Sequence, residues 1–254
     1  MGLLDEPTDP TYVACRDGFS SLLRTVDKHD QQGAAAKSGP YQNPCDAVLR
    51  YLDQAFLGQY YRSTRPFFLH NATNLFNYID YLQETQEHRS ILHETYLQLL
   101  AYLNFIETHD PLILIGNCLR FIETGDRGFD FDIFQARDSG RAKYNEVSTQ
   151  VGGFQTSRPG VLGADFTQMV TALDPVFDRQ LRNAIAHSSY TLRVRNQKVH
   201  TWDRSSWKSY GFNDVAALYN SAYYYLVGFA SAVEDFAEQL VPDCQYAWHW
   251  GPRY

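Results

Sequence analysis

A mainly α-helical bundle with small β additions is what these 254 residues encode. Three features point to it. Apolar residues recur at helical spacing along most of the chain. Four Asx-Pro pairs stand where such runs begin, and only two short stretches alternate as strands do. The pairs are Asp9-Pro10, Asn43-Pro44, Asp110-Pro111 and Asp174-Pro175. In each, the Asx side chain suits an N-cap, and Pro suits the first helical position, where its missing N–H costs nothing.

Taken in order, the first helix and a linker-like break at 34–39 make up residues 1–40. Residues 41–165 form a helical part with a short strand and a long loop. After Asn43 come Val48, Tyr51, Leu52, Ala55, Phe56 and Tyr60. Between Gln86 and His109 lie Ile91, Leu92, Tyr96, Leu99, Leu100, Leu103 and Ile106. After Asp110, the run 112–122 reads as a largely buried helix. Phe129, Phe131 and Ile133 alternate with Asp130 and Asp132, a strand signature. Segment 138–164, rich in Gly and Pro, reads as a long loop. Residues 166–241 hold a helix capped at Asp174, then a hairpin, then a final helix. The hairpin is built from Leu192, Val194, Val199 and Thr201 around an Asn196-Gln197 turn. Asn213 caps the last helix, whose apolar run continues to about Val241. The whole is expected to be one domain.

Composition excludes several classes. At 44% apolar and 15% aromatic residues the chain has ample core, so disorder is ruled out. The longest strongly apolar stretch, 112–115, falls far short of the ~20 residues of a membrane span. The opening MGLLDEPTDP lacks the pattern of a signal peptide. Cys15, Cys45, Cys118 and Cys244 are scattered, which favours neither zinc nor a disulfide framework. A cytoplasmic protein without membrane contact, metal or cofactor is expected.

Net charge is −7, yet residues 137–208 hold 11 of the 22 Lys and Arg and only 6 of the 29 Asp and Glu. A net-basic segment inside an acidic chain fits a polyanion partner. Within it stands Leu181-Arg182-Asn183-Ala184-Ile185-Ala186-His187-Ser188-Ser189-Tyr190. On a helix Asn183 and His187 share a face, and the long Arg182 side chain reaches the same pocket. Arg, amide and imidazole without thiol or metal ligands suit phosphate-ester chemistry. The guanidinium neutralises charge on a phosphorane, the imidazole exchanges protons near neutral pH, and Asn183 orients the imidazole or holds the scissile phosphate. Spacing alone decides nothing, because Arg24/His29, Arg65/His70 and Arg195/His200 repeat it. Only Arg182/His187 combines a capped helix, the Asn and an Ala-Ile-Ala core face.

Over about residues 170–240 the string RNAIAHSSY, the polar hairpin and the long aromatic helix resemble HEPN domains. The resemblance implies a HEPN-like helical homodimer that brings two motif copies into one cleft. Catalytic members are metal-independent endoribonucleases of toxin–antitoxin, abortive-infection and other antiviral defence systems. Carried over, Arg182, Asn183 and His187 form the site, and 2′-OH attack leaves a 2′,3′-cyclic phosphate. A co-encoded antitoxin or sensor protein is the partner the family implies. One subgroup carries a Tyr two residues after the His. Here Ser189 stands there and Tyr190 follows.

Tyr190, Arg193, Arg195, Trp202, Arg204 and Lys208 are the candidate RNA contacts, with Trp207 beside them. The stripe Tyr219, Tyr223, Tyr224 and Tyr225 reads as core. His88 and His93, five apart, make a poor metal pair.

Two other readings stand beside this one. In a non-catalytic binding or dimerisation module, His187 would partner the helix dipole and Arg182 would pair with Asp178. In a nucleotidyltransferase, Gly116-Asn117 would cradle phosphate, and Asp130, Asp132 and Glu146 would hold Mg²⁺.

Overall fold

The computed structural model describes residues 8–36, 91–125, 130, 132–134, 139–203 and 206–240. The chain order is α1 (Pro10–Ala36), α2 (Ile91–Ile106), α3 (Asp110–Thr124), α4 (Gly140–Ser157), α5 (Ala164–Ala172) and α6 (Arg179–Ala186). Three antiparallel strands follow, β1 (Tyr190–Arg193), β2 (Lys198–Asp203) and β3 (Ser206–Gly211), in the order β1-β2-β3, and then α7 (Phe212–Leu240). The mainly helical fold with a small antiparallel sheet agrees with the sequence reading.

Helix α1 starts as its sequence predicts. The Asp9 Oδ1 accepts the backbone N–H groups of Thr11 at 2.7 Å and Tyr12 at 3.4 Å. Its buried stripe of Tyr12, Cys15, Phe19, Leu22, Leu23 and Val26 packs on α7 and α5. The approach to α7 is close because Gly228 has no side chain. A Cβ there would lie 2.8 Å from both the Cys15 Cβ and the Tyr12 carbonyl oxygen. The Phe19 and Phe229 rings meet edge to face at 4.8 Å, an arrangement their quadrupoles favour. Burial raises the Cys15 and Cys118 thiols well above their ordinary range, so neither is a thiolate nucleophile.

Helix α3 is apolar nearly all round and correspondingly buried. His109, not Asp110, occupies its N-cap, and Gly125 closes it at φ 72 with its N–H on the Phe121 carbonyl. The pair Asn43-Pro44 and the run from Val48 to Tyr60 lie outside the described residues.

Several expectations are corrected. Segment 138–164 is no long loop, because Gly140–Ser157 is helical. Ser139 caps it, accepting the Ala142 N–H at 3.2 Å, and Tyr144, Val147, Val151 and Phe154 form a buried stripe. A Cβ at Gly152 or Gly153 would meet nothing within 4 Å, so these glycines face open space rather than breaking the helix. No strand forms at Asp130 and Ile133, where the Asp130 Oδ1 accepts the Asp132 N–H at 2.9 Å in a tight turn.

Asp174 starts no helix. Its carboxylate pairs with Arg141 at 2.9 Å, and α6 begins at Arg179 with Asp178 as N-cap. Asn213 lies inside α7, and Asp214 reaches back instead to accept the Gly211 N–H at 2.7 Å. Of the break expected at 34–39, residues 34–36 belong to α1, and 37–39 lie outside the described residues.

The predicted hairpin is present, turning through a short 3-10 segment, Val194–Asn196, and Gln197 at φ 50. The third strand, β3, was not foreseen. It pairs with β2 through Trp202 opposite Trp207 and Val199 opposite Tyr210.

Candidate active site

The motif helix α6 is placed by its cap. Asp178 Oδ1 accepts the Leu181 N–H at 2.9 Å and the Tyr210 hydroxyl at 2.9 Å, while Oδ2 pairs with Lys208 at 2.7 Å. One carboxylate therefore ties the helix start to β3. Burial alone would raise its pKa. The Leu181 N–H, Lys208 and Tyr210 outweigh that and hold it below the ordinary value. At the other end His187 is the C-cap, exposed, with its N–H on the Asn183 carbonyl at 3.0 Å. The chain then turns sharply through Ser188 at φ 53, a left-handed conformation uncommon outside glycine.

Arg182 and Asn183 come together, though not as a bare pair. The Arg182 Nε donates to Glu107 Oε1 at 2.6 Å, and its Nη1 donates to Asn183 Oδ1 at 3.1 Å. The Asn183 amide nitrogen then donates to Asp203 Oδ2 at 3.0 Å. Glu107 Oε2 accepts the Gly140 N–H at 3.1 Å and meets His109 Nε2 at 3.0 Å. A continuous polar chain thus runs Asp203–Asn183–Arg182–Glu107–His109, joining β2, α6, the α2–α3 corner and the start of α4.

Burial would raise the Glu107 carboxyl. The hydrogen bonds from His109, Arg182 and Gly140 more than offset it, leaving the group at about 2 and ionised. The partner expected for Arg182, Asp178, is engaged elsewhere.

Arg182 is thereby held in one orientation, and Asn183 serves Arg182 and Asp203 rather than the imidazole. Among the described residues no hydrogen bond links the His187 ring to either. Glu107, His109 and Asp203 were not singled out from the sequence. Glu107 lies 75 residues from Arg182 in the chain, a separation no local pattern reveals. The only trace is the polar corner Glu107-Thr108-His109 between two apolar helices.

The candidate RNA contacts separate. Strand pairing places Thr191, Arg193, Lys198, His200, Trp202, Trp207 and Ser209 on the outer face of the sheet. Tyr190 and Lys208 fall on the inner face. Tyr190 is half-buried with its ring 6.5 Å from Tyr96, and burial together with Tyr96 pushes its phenol up to about 12. Lys208 is committed to Asp178. Arg195 is exposed on the 3-10 turn, and Arg204 lies outside the described residues. The tyrosine stripe is core, with Tyr219 and Tyr225 buried and Tyr223 and Tyr224 half-buried. Of the other Arg/His pairs, Arg24 and His29 lie on α1 and Arg65/His70 lies outside the described residues. Likewise His88 is not described, and His93 lies on α2.

Gly116 and Asn117, the phosphate cradle of the nucleotidyltransferase reading, take packing roles. Asn117 is buried, and its side chain accepts the Asp130 N–H and donates to the Asp130 carbonyl, both at 2.9 Å. A Cβ at Gly116 would come within 2.8 Å of the Phe134 ring. Glu146 lies on α4, and among the described residues no group of three His, Cys, Asp or Glu side chains is placed to hold a metal. No helix of the described residues is long and apolar enough to cross a membrane.

No family model, curated protein or solved structure matches the chain.

Proposed function

We propose that the protein is a metal-independent endoribonuclease of the HEPN type, acting through Arg182, Asn183 and His187. The observation that carries this reading is the side-by-side fixing of Arg182 and Asn183, 3.1 Å apart, one turn before the exposed His187. Neutral His187 accepts the ribose 2′-OH proton as the 2′-oxygen attacks phosphorus. The bond from phosphorus to the 5′-oxygen breaks, and an imidazolium returns a proton to that leaving oxygen. The Arg182 guanidinium stabilises the charge of the phosphorane between these steps. Pairing of two copies would set two such motifs in one cleft, and a cytoplasmic toxin of this class needs a co-encoded antitoxin or sensor protein to restrain it.

A second reading has its own observation. Glu107 already neutralises Arg182, as expected of a structural ion pair in a non-catalytic binding or dimerisation module.

Wild type and His187→Ala, incubated with total RNA and tRNA in EDTA, separate the two. Fragments with 2′,3′-cyclic phosphate ends from wild type alone are expected, with Arg182→Lys impaired because a point charge does not replace the planar fork. Intact RNA in every sample supports the binding module. Equal cleavage by wild type and His187→Ala assigns the chemistry to another site.

A further inference from the structure

The outer face of the sheet has a composition unlike the rest of the chain. Trp202 and Trp207 stand opposite each other across β2 and β3, and both are exposed, Trp207 to 68%. Two indoles left in water on neighbouring strands forgo the burial that drives aromatic side chains inward. The His200 ring lies 6.3 Å from Trp207 and continues the aromatic row. Arg193 and Lys198 stand opposite each other on the same face, and Arg195 extends it at the turn. No Asp or Glu occupies an outward position of the described strands, whereas the one strand carboxylate, Asp203, turns inward to Asn183.

We infer that this face is a docking platform for single-stranded RNA, whose bases stack on Trp202 and Trp207 while Arg193, Arg195 and Lys198 hold its phosphates. Charge complementarity selects the occupant. Cations share the face with an exposed aromatic pair, the combination that single strands require and that a duplex, with its bases already stacked, does not use. The platform also adjoins the motif. Trp202 and Ser189 are tied by two hydrogen bonds, the Trp202 N–H on the Ser189 carbonyl at 2.9 Å and the Ser189 hydroxyl on the Trp202 carbonyl at 2.7 Å. Ser189 is two residues beyond His187. A strand stacked on Trp202 is therefore led towards the end of α6. The choice of RNA over DNA rests on the ribonuclease reading, and the stacking surface does not depend on it.

The test is binding of a labelled 2′-O-methyl oligouridylate of about a dozen nucleotides to the full chain, followed by fluorescence anisotropy. Lacking a 2′-OH, this probe resists the proposed cleavage, so binding is read apart from chemistry. Trp202→Ala and Trp207→Ala are each expected to weaken binding about tenfold, and Trp207→Phe to retain most of it. Replacing Arg193 and Lys198 together by Ala should flatten the slope of log affinity against log salt by about 1.4. Unaltered far-ultraviolet circular dichroism and melting would show that these exposed substitutions leave the fold intact.

Unchanged affinity in the tryptophan variants overturns the platform, as does equal affinity for a blunt duplex. So does no binding at any salt, the result expected of a face built for a protein partner. Tryptophan-dependent binding without RNA cleavage keeps the platform and removes the ribonuclease. Cleavage that ignores both tryptophans does the reverse.

Discussion

Arg182 is the residue whose role the structure changes most. Its 2.6 Å pair with Glu107 is largely shielded, the two side chains being 18% and 24% exposed. Removing the charge of one partner leaves the other in a poorly solvated place. Glu107→Gln is therefore expected to lower stability at neutral pH by about 1–3 kcal/mol in urea unfolding. The pH dependence follows in sign. Glu107 is held at about 2 in the fold against 4.5 ordinarily, and Asp178 is shifted the same way. The stabilisation is therefore complete above the ordinary carboxylate value and is lost as pH falls through the folded one. Between about pH 6 and pH 2 the wild type should lose more stability than Glu107→Gln. Parallel losses would show that Glu107 is not the group responsible.

At the scale of elements, α6 is eight residues long, too short to persist alone in water. Its position comes from its cap and what the cap holds. Asp178→Ala removes the bond to the Leu181 N–H and strands Tyr210 and Lys208, for an expected loss of about 2–3 kcal/mol. Asp174→Ala removes only a surface pair with Arg141 and should cost under about 1 kcal/mol. Urea midpoints of the two variants rank them, and a larger loss at Asp174 would refute the assignment of the cap. Local sequence points to the Asp174-Pro175 pair as the cap, whereas the structure uses Asp178. Arg141 on α4 and Tyr210 on β3 decide between them, and neither is near in sequence. Helix α4 teaches the same point. Its glycines read as loop, while the stripe from Tyr144 to Phe154 was the informative pattern.

For the molecule as a whole, α1 and α7 form the centre, joined by Phe19, Phe229 and Tyr225. The Tyr225 hydroxyl is fully buried and has no hydrogen-bond partner among the described residues. A polar group without a partner in the core costs its full desolvation. Tyr225→Phe keeps the ring packed on Phe177 at 5.5 Å and deletes that group. The variant is expected to gain about 1 kcal/mol in thermal or urea unfolding. A clear loss would mean that the hydroxyl is satisfied when the protein is in water.

The helical class, the buried α3, the α1 cap, the hairpin and the net-basic strip around Arg182 are legible in the sequence. These follow from periodicity and capping, which act within a few residues and leave their mark there. Tertiary structure decided the ionic partners of the motif. It turned Lys208 and Tyr190 inward, left Trp202 and Trp207 outward, and put Glu107 against Arg182. Such choices depend on which surfaces close over one another. The energy of a buried ion pair or an exposed indole is set by neighbours dozens of residues away, which no local pattern records.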